Sequence, residues 1–185
     1  MSYEAFFGFK EQPFSNAPES RFFFESKQHS EALIRLRHCI DTMKGLAVMV
    51  GDIGCGKTLL ARKLLEQLET EHQYEAALMV IVHSEITAEW LLRKIAMQLG
   101  VQEPGDKKSV ILPQLYERLM EIYEQGKKAV VIIDEANMLV TREMFEEFRG
   151  LLNLEAPGQK LLSITLIGLP DLEQNIALDL SLIHI

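Results

Sequence analysis

Cysteine is scarce in this sequence, with two residues in a chain of 185. Cys39 falls in a predicted amphipathic helix and Cys55 in a glycine-rich loop, so a disulfide framework is implausible. Disulfides stabilise small secreted domains that cannot build a sufficient core. With 48% hydrophobic residues, a chain of this length can bury one core of ordinary size without them.

Long apolar segments are also missing. The longest uncharged apolar run, Ala76 to Val82, is far too short to cross a bilayer. The first residues, Met1 to Glu4, lack the basic segment that opens a secretory signal. These absences predict a cytoplasmic domain without a membrane span in this piece, placed at the inner face of a membrane only as part of a longer chain.

Clustered positive charge is absent as well. The formal net charge is -8 and no basic block stands out. Nucleic-acid backbones are usually met by clustered Lys and Arg side chains. The composition therefore argues weakly against a dedicated DNA-binding surface, and we expect contact with nucleic acid only indirectly.

A glycine-rich octapeptide is the most informative feature that is present. It follows the apolar run Leu46 to Val50 and fits the pattern G-x-x-x-x-G-K-[ST], known as Walker A. Small residues in this pattern let successive backbone N–H groups surround a phosphate at the start of a helix. The pattern predicts nucleotide binding by Gly51, Asp52, Ile53, Gly54, Cys55, Gly56, Lys57, Thr58 and Leu59.

Two of these residues have distinct predicted roles. Lys57 is expected to reach the β- and γ-phosphates of the nucleotide, and Thr58 to bind Mg²⁺. Leu60, Leu64 and Leu68 recur on one face of the following stretch. This spacing predicts a helix packed on the sheet, which would hold the loop rigid.

Two adjacent carboxylates, Asp134 and Glu135, end the apolar run Ala129 to Ile133. The run shows no alternation, which predicts a strand buried on both faces of a parallel sheet. Ligands of open α/β sheets bind at the carboxyl ends of the strands. Asp134 is then expected in the Mg²⁺ shell and Glu135 beside an attacking water. A solvated pair in a turn is the alternative.

The hydrophobic periods predict an α/β fold. Four strands alternate with helices, which indicates a parallel sheet with helices on both faces. Residues 1 to about 25 are predicted to be extended, because Pro13 and Pro18 disfavour helix. The other predicted elements are a helix capped by Ser26, a strand from Ala76 to Val82, a helix opened by Thr87 and ended by Gly100, a helix from Ile111 to Gln125, a helix capped by Thr141, and a strand from Leu161 to Ile167.

In its phosphate loop, its paired acids and several other segments, the chain resembles the AAA+ ATPases of the secretion-pathway protein A type and their relatives in pilus biogenesis and transposition. The two nucleotide motifs are shared by the whole P-loop NTPase superfamily. The N-terminal aromatic segment and the Arg-x-x-x-Asn-x-Glu run narrow the resemblance to this group. The segments that carry the resemblance are Phe6 to Phe9, Pro13 to Ser15, Phe22 to Phe24, His29 to Leu33, Gly51 to Thr58, Ile133 to Asn137, Phe148 to Glu155 and Ile167 to Leu172.

The resemblance implies a division of the chain. Residues 1–45 would cover the adenine, residues 46–179 would form the AAA+ core, and residues 180–185 would be a non-native tail. His29 is then a candidate neighbour of the base, with a merely solvated histidine as the alternative. The resemblance also implies that the Leu161 strand lies between the phosphate-loop strand and the Asp134 strand. A fifth strand, an arginine finger and a lid with a second sensor are expected beyond this piece, which would leave the phosphate-loop strand at an open edge.

One departure from the family concerns the sensor of the γ-phosphate. The family commonly has Gln where this chain has Leu169. Sensing would then move to Thr165 or to Asn137, a polar position after the acids. Arg149 and Asn153, one turn apart on a helix, are expected at a subunit contact, with an ordinary surface pair as the alternative.

These features predict an ATPase that uses ATP and Mg²⁺. Lys57, Asp134 and Glu135 are the candidate catalytic residues, with an arginine from a neighbouring subunit of a homo-oligomer. Its partners are expected among secretion or pilus assembly components. Three alternatives remain: a nucleotide-gated scaffold that does not hydrolyse ATP, a transposition accessory ATPase, and a P-loop kinase with an acceptor substrate.

Overall fold

A computed structural model describes residues 3–12, 22–139 and 141–179 of the chain. The strands are β1 Leu46–Val50, β2 Tyr74–Val80, β3 Lys128–Asp134, β4 Glu155–Ala156, β5 Gln159–Lys160 and β6 Leu162–Gly168. The helices are α1 Tyr3–Phe7, α2 Lys27–Asp41, α3 Lys57–Glu69, α4 Ala88–Gln98, α5 Lys108–Glu124, α6 Arg142–Leu152 and α7 Asp171–Asp179, with a 3-10 turn at Ala136–Met138.

Four strands form one parallel sheet in the order β1-β6-β3-β2. The sequence predicted that the strand beginning near Leu161 lies between the phosphate-loop strand and the Asp134 strand, and this is confirmed. Within the described residues, β1 pairs only with β6 and forms one edge of the sheet. The expected open edge at the phosphate-loop strand is therefore present.

The central strand β3 explains why the apolar run has no alternation. All its residues from Ala129 to Asp134 are buried. Ala129, Val131 and Ile133 face a core built with α4, α5 and α6. Val130 and Ile132 face a second core with α2 and α3. Both faces of the strand are thus apolar, as a parallel sheet covered on two sides requires.

Local sequence signals place two helix starts where they were predicted. The Ser26 side chain accepts a hydrogen bond from His29 N at 3.3 Å, and Thr87 accepts one from Trp90 N at 3.2 Å. Both satisfy backbone donors that the first helical turn leaves unpaired. Thr141 occupies the same position before α6, but its side chain makes no such bond. Helix α5 begins at Lys108, before the predicted Ile111, because its apolar period starts only at its fourth residue.

The prediction of an extended segment over residues 1–25 is wrong at its beginning. Residues Tyr3–Phe7 form the short helix α1, which ends at Gly8 with φ of 68°. Phe9 N donates to Glu4 O at 2.9 Å across this glycine. Such a bond is typical of a helix end with a left-handed glycine. Pro13 and Pro18 lie outside the described residues.

The β4–β5 hairpin was not predicted. Its strands are joined by Pro157 and Gly158, and Gly158 has φ of 91°. A Pro-Gly pair is a turn signal that the sequence offered. The strands are too short for a periodic pattern, so no strand was predicted here.

None of the helices in the described part of the chain is long and apolar enough to span a membrane. The tail at residues 180–185, predicted to be non-native, lies outside the described residues. The division into an adenine-covering segment and a core stays a prediction.

Candidate nucleotide-binding site

The loop Gly51–Gly56 connects the carboxyl end of β1 to the first residue of α3. Gly54 and Gly56 have φ of 80° and 87°, in the left-handed region that L-residues avoid. Gly56 is also the residue immediately before the helix, with no side chain to cap it. The glycines therefore permit a tight loop that leaves the first N–H groups of α3 open to an anion.

Lys57 is buried although it carries a charge. Its Nζ donates to Gly51 O and to Asp52 O, both at 2.9 Å. The ammonium group thus lies inside the curve of the loop and not in solvent. A buried charge needs such partners, and a phosphate would offer stronger ones.

The two carboxylates differ in environment. Asp134 is 1% exposed, and its Oδ1 accepts a hydrogen bond from Glu135 N at 2.9 Å. Its Oδ2 is buried without a hydrogen-bond partner among the described residues. Glu135 is half-buried and has φ of 56° and ψ of 34°. A non-glycine residue in this region stores strain, which is found most often at functional sites.

The phosphate loop and Glu135 line the same cavity, of about 470 Å³. This volume is within the range of pockets that hold small ligands. Some residues of the predicted phosphate and magnesium sites do not line this cavity. They are Gly51, Asp52, Cys55 and the buried Asp134. The cavity is lined by Ile53, Gly54, Gly56, Lys57, Thr58, Leu59, Glu135 and Leu169.

His29 contacts the phosphate loop from the first turn of α2. Its Nε2 lies 3.0 Å from Cys55 O, and its Nδ1 lies 3.3 Å from Phe24 O. The ring packs against Phe23, with centroids 5.3 Å apart. The histidine therefore joins the N-terminal segment to the loop. No motif predicts this contact, and the expected proximity of His29 to a base stays a prediction.

The candidate sensor residues occupy different places. Asn137 Oδ1 accepts a hydrogen bond from Leu169 N at 3.0 Å, beside the cavity. Thr165 is fully buried within β6 and does not line the cavity; its hydroxyl has no hydrogen-bond partner among the described residues. Arg149 and Asn153 are exposed on and after α6. Of the four, only Asn137 bonds a residue that lines the cavity.

The shifted pKa values lie elsewhere, at the amino end of β2. Arg37 donates to Glu71 Oε2 at 2.6 Å and to Asp41 Oδ1 at 2.8 Å, and Tyr74 donates to Asp41 Oδ1 at 2.5 Å. The bond from Arg37 lowers the pKa of Glu71 to about 2. Burial raises the pKa of Tyr74 to about 12, together with its bond to Asp41. Burial also acts to raise the pKa of Asp41, but the bonds from Tyr74 and Arg37 outweigh it and lower that pKa.

Comparison with known proteins identifies the family of this chain. The family model described as "AAA domain" matches residues 40–176, which is most of the chain. The chain belongs to the AAA domain family. The matched range contains the phosphate loop, both carboxylates and all four strands of the main sheet.

This AAA domain is similar to General secretion pathway protein A of Aeromonas hydrophila, with 35% identity over 175 residues and 93% of the chain. The predicted resemblance to proteins of this type is confirmed. The chain spans 31% of that relative's length. The matched segment is therefore less than one third of the relative.

Solved structures show the same fold. The ORC2 protein of Aeropyrum pernix in ADPNP-ADP complexes matches with a TM-score of 0.66 and 13% identity, covering 89% of this chain and 46% of that one. Cdc6p of Pyrobaculum aerophilum matches with a TM-score of 0.64 and 20% identity, covering 86% and 42%. The predicted AAA+ P-loop NTPase fold, a parallel sheet with helices on both faces, is thus confirmed.

Proposed function

We propose that this AAA domain binds ATP with Mg²⁺ and hydrolyses it. The single observation that carries the proposal is the shared cavity, in which the phosphate loop and Glu135 face the same space. Hydrolysis of a nucleoside triphosphate needs an amide cradle for the phosphates and a group that orients water. The phosphate loop and Glu135 would supply these two parts from the walls of one cavity. The ADPNP-ADP complexes of the similar ORC2 structure support the choice of an adenine nucleotide.

The residues present fit a magnesium ion. Asp134 Oδ2 is buried and has no hydrogen-bond partner in the described part of the chain, which is costly for a carboxylate unless a cation or a donor meets it. Thr58 offers a hydroxyl oxygen on the cavity wall. Mg²⁺ prefers such oxygen ligands together with water and phosphate oxygens. When bound, it would offset the negative charge of the phosphates.

The remaining steps belong to side chains of this chain. Lys57 would turn from the Gly51 and Asp52 carbonyls toward the β- and γ-phosphates, exchanging neutral acceptors for anionic ones. Glu135 would orient a water molecule and accept its proton as the water oxygen attacks the γ-phosphorus, while the bond from that phosphorus to the bridging β-phosphate oxygen breaks and ADP leaves. An arginine from a neighbouring subunit would complete the charge compensation in the assembled protein.

We further propose that hydrolysis drives or gates the assembly of a larger machine. The support is the similarity to General secretion pathway protein A, whose name refers to secretion. Secretion or pilus assembly components are the proposed partners, and the full-length protein is proposed to form a homo-oligomer. DNA would be met only through such a partner, consistent with the net charge of -8.

A nucleotide-gated scaffold is the second candidate, and Leu169 favours it. Leu169, which has an apolar side chain, lines the same cavity as Glu135, at a position where the family resemblance implies a polar sensor. A scaffold would bind ATP and change partners without turnover. Full-length protein that binds ATP tightly but releases no phosphate would select this candidate.

Turnover of Mg-ATP by the full-length protein tests the ATPase proposal. Glu135→Gln should keep ATP affinity and reduce phosphate release by about 100-fold, because a general base contributes about 10²–10⁴ in rate. Lys57→Ala should weaken ATP binding itself, since it removes a phosphate contact.

Two variants serve as matched controls. Glu124→Gln changes an exposed carboxylate at the end of α5, before the amino end of β3, and Lys63→Ala changes a partly exposed lysine of α3. Both should behave as the wild type. Equal phosphate release by the wild type, Glu135→Gln and Lys57→Ala would refute the catalytic assignment.

A further inference from the structure

The last residue of β6 and the residue after it form hydrogen bonds with both halves of the nucleotide site. Gly168 O accepts a hydrogen bond from Gly51 N, the first residue of the phosphate loop, at 3.1 Å. Leu169 N donates to Asn137 Oδ1 at 3.0 Å, two residues beyond Glu135. Two consecutive residues thus connect the phosphate loop to the acidic turn through hydrogen bonds.

The contact at Asn137 depends on close approach. A Cβ atom on Gly168 would lie 2.8 Å from Asn137 Oδ1 and 3.0 Å from Asn137 N. The second neighbour is backbone and cannot move aside as a flexible side chain can. Glycine at position 168 therefore leaves room for Asn137 Oδ1 to reach Leu169 N, and a larger residue would crowd this contact.

Asn137 is also tied to Glu135 through the backbone. Met138 N donates to Glu135 O at 3.0 Å, closing the 3-10 turn that contains Asn137. Glu135 itself has the left-handed φ of 56°, a conformation that persists only when its surroundings enforce it. The hydrogen bond between Leu169 N and the Asn137 side chain connects this turn to the residue that follows β6, in addition to the hydrogen bond within the turn.

We propose that Asn137 is a positioning residue for ATP hydrolysis, which holds the Glu135 turn in its strained conformation by accepting the hydrogen bond from Leu169 N. The proposal rests on the proposed ATPase function. The bond from Leu169 N to Asn137 Oδ1 supports the side of the cavity that carries Glu135. Loss of the Asn137 side-chain oxygen should therefore affect turnover and not nucleotide affinity.

The decisive comparison is Asn137→Leu with Asn137→Asp in the full-length protein. Leucine has a similar size but no acceptor, whereas aspartate keeps an oxygen for Leu169 N. Asn137→Leu should lower kcat about 10- to 100-fold, the effect expected from a small misplacement of a reacting group. Its Kd for ATP should stay within about threefold, and Asn137→Asp should restore most of kcat, since only transition-state interactions are affected.

Gln98→Leu is the matched control, because it makes the same kind of change at an exposed position of α4 that does not line the cavity. Circular dichroism and thermal unfolding of each variant check that it is folded. Glu135→Gln is measured in parallel to test the proposed function separately.

Three results would overturn the inference while Glu135→Gln still loses activity. These are wild-type kcat in Asn137→Leu, a parallel loss of ATP affinity and kcat in Asn137→Leu, and failure of Asn137→Asp to recover kcat with affinity intact. If the wild type and Glu135→Gln release phosphate equally, the proposed function itself fails and the inference falls with it.

Discussion

Glu135 and His29 illustrate how single residues set the geometry of the cavity. Glu135 follows a strand that is buried from Ala129 to Asp134, and it has a backbone conformation that L-residues rarely adopt. His29 lies on a different element and reaches Cys55 O of the phosphate loop. We expect loss of the Glu135 carboxylate to lower turnover and loss of the His29 ring to lower nucleotide affinity. Measuring both quantities should therefore separate the two effects.

His29→Ala should weaken ATP binding about five- to tenfold, because it removes one hydrogen bond worth about 1 kcal/mol from the phosphate loop. Titration with a fluorescent ATP analogue measures the change. His38→Ala is the control, since His38 is exposed on the same helix. Equal affinity in both variants would show that the His29 contact does not support the loop.

At the level of elements, the Arg37 network fastens α2 to the end of α3 and the start of β2. Arg37 bonds both Glu71 and Asp41, and its guanidinium lies 4.8 Å from the centroid of the Tyr74 ring. These contacts lie at the amino end of the sheet strands, away from the cavity. They should therefore affect stability and leave nucleotide affinity unchanged.

The ion pair between Arg37 and Glu71 should make the free energy of unfolding depend on pH at acidic pH. The pKa of Glu71 is about 2 in the folded protein against an ordinary value of 4.5, so its contribution is complete above about pH 4.5 and is lost as the pH falls toward 2. The difference in urea midpoint between the wild type and Glu71→Gln should shrink over that range. Glu69→Gln, at the exposed end of α3, is the control. A difference that stays constant with pH would contradict this assignment.

The elements that sequence predicted best are those whose signal is contiguous. The apolar run of β3 and the glycine pattern of the phosphate loop each lie within a few residues, so local chemistry was enough. The helix α1 was missed because aromatic residues and nearby prolines favoured an extended segment. The turn at Pro157 and Gly158 was missed because its strands have two residues each.

The contacts within the site were harder to predict than its members. Asp134 and the phosphate loop were identified from their own segments. The bonds from His29 to Cys55 and from Leu169 to Asn137 join residues that are distant in sequence. They depend on how α2 packs against the phosphate loop and how the end of β6 packs against the Asn137 turn. Hydrophobic periodicity in the sequence does not predict that packing.

For the whole molecule, the sheet order leaves β1 with an unpaired edge within the described residues. Val48 and Val50 are 40% and 36% exposed there. A groove of about 290 Å³ runs between this edge and α2. Unpaired strand edges with apolar side chains favour pairing between chains.

The 185-residue chain should therefore self-associate with increasing concentration, and Val48→Lys should reduce this association, because charge at a strand edge opposes pairing. Sedimentation velocity over a concentration series measures it. Ile34→Lys introduces the same charge at an exposed position of α2 and should have a smaller effect. Equal association of the two variants would show that β1 is not the contact.

The hairpin tip at Pro157 and Gly158 has a practical consequence. Both residues are exposed and precede the amino end of β6, whereas the cavity lies at the carboxyl ends of the strands. A dye or an affinity handle inserted there would report on, or immobilise, the domain while leaving the entry route of the nucleotide clear.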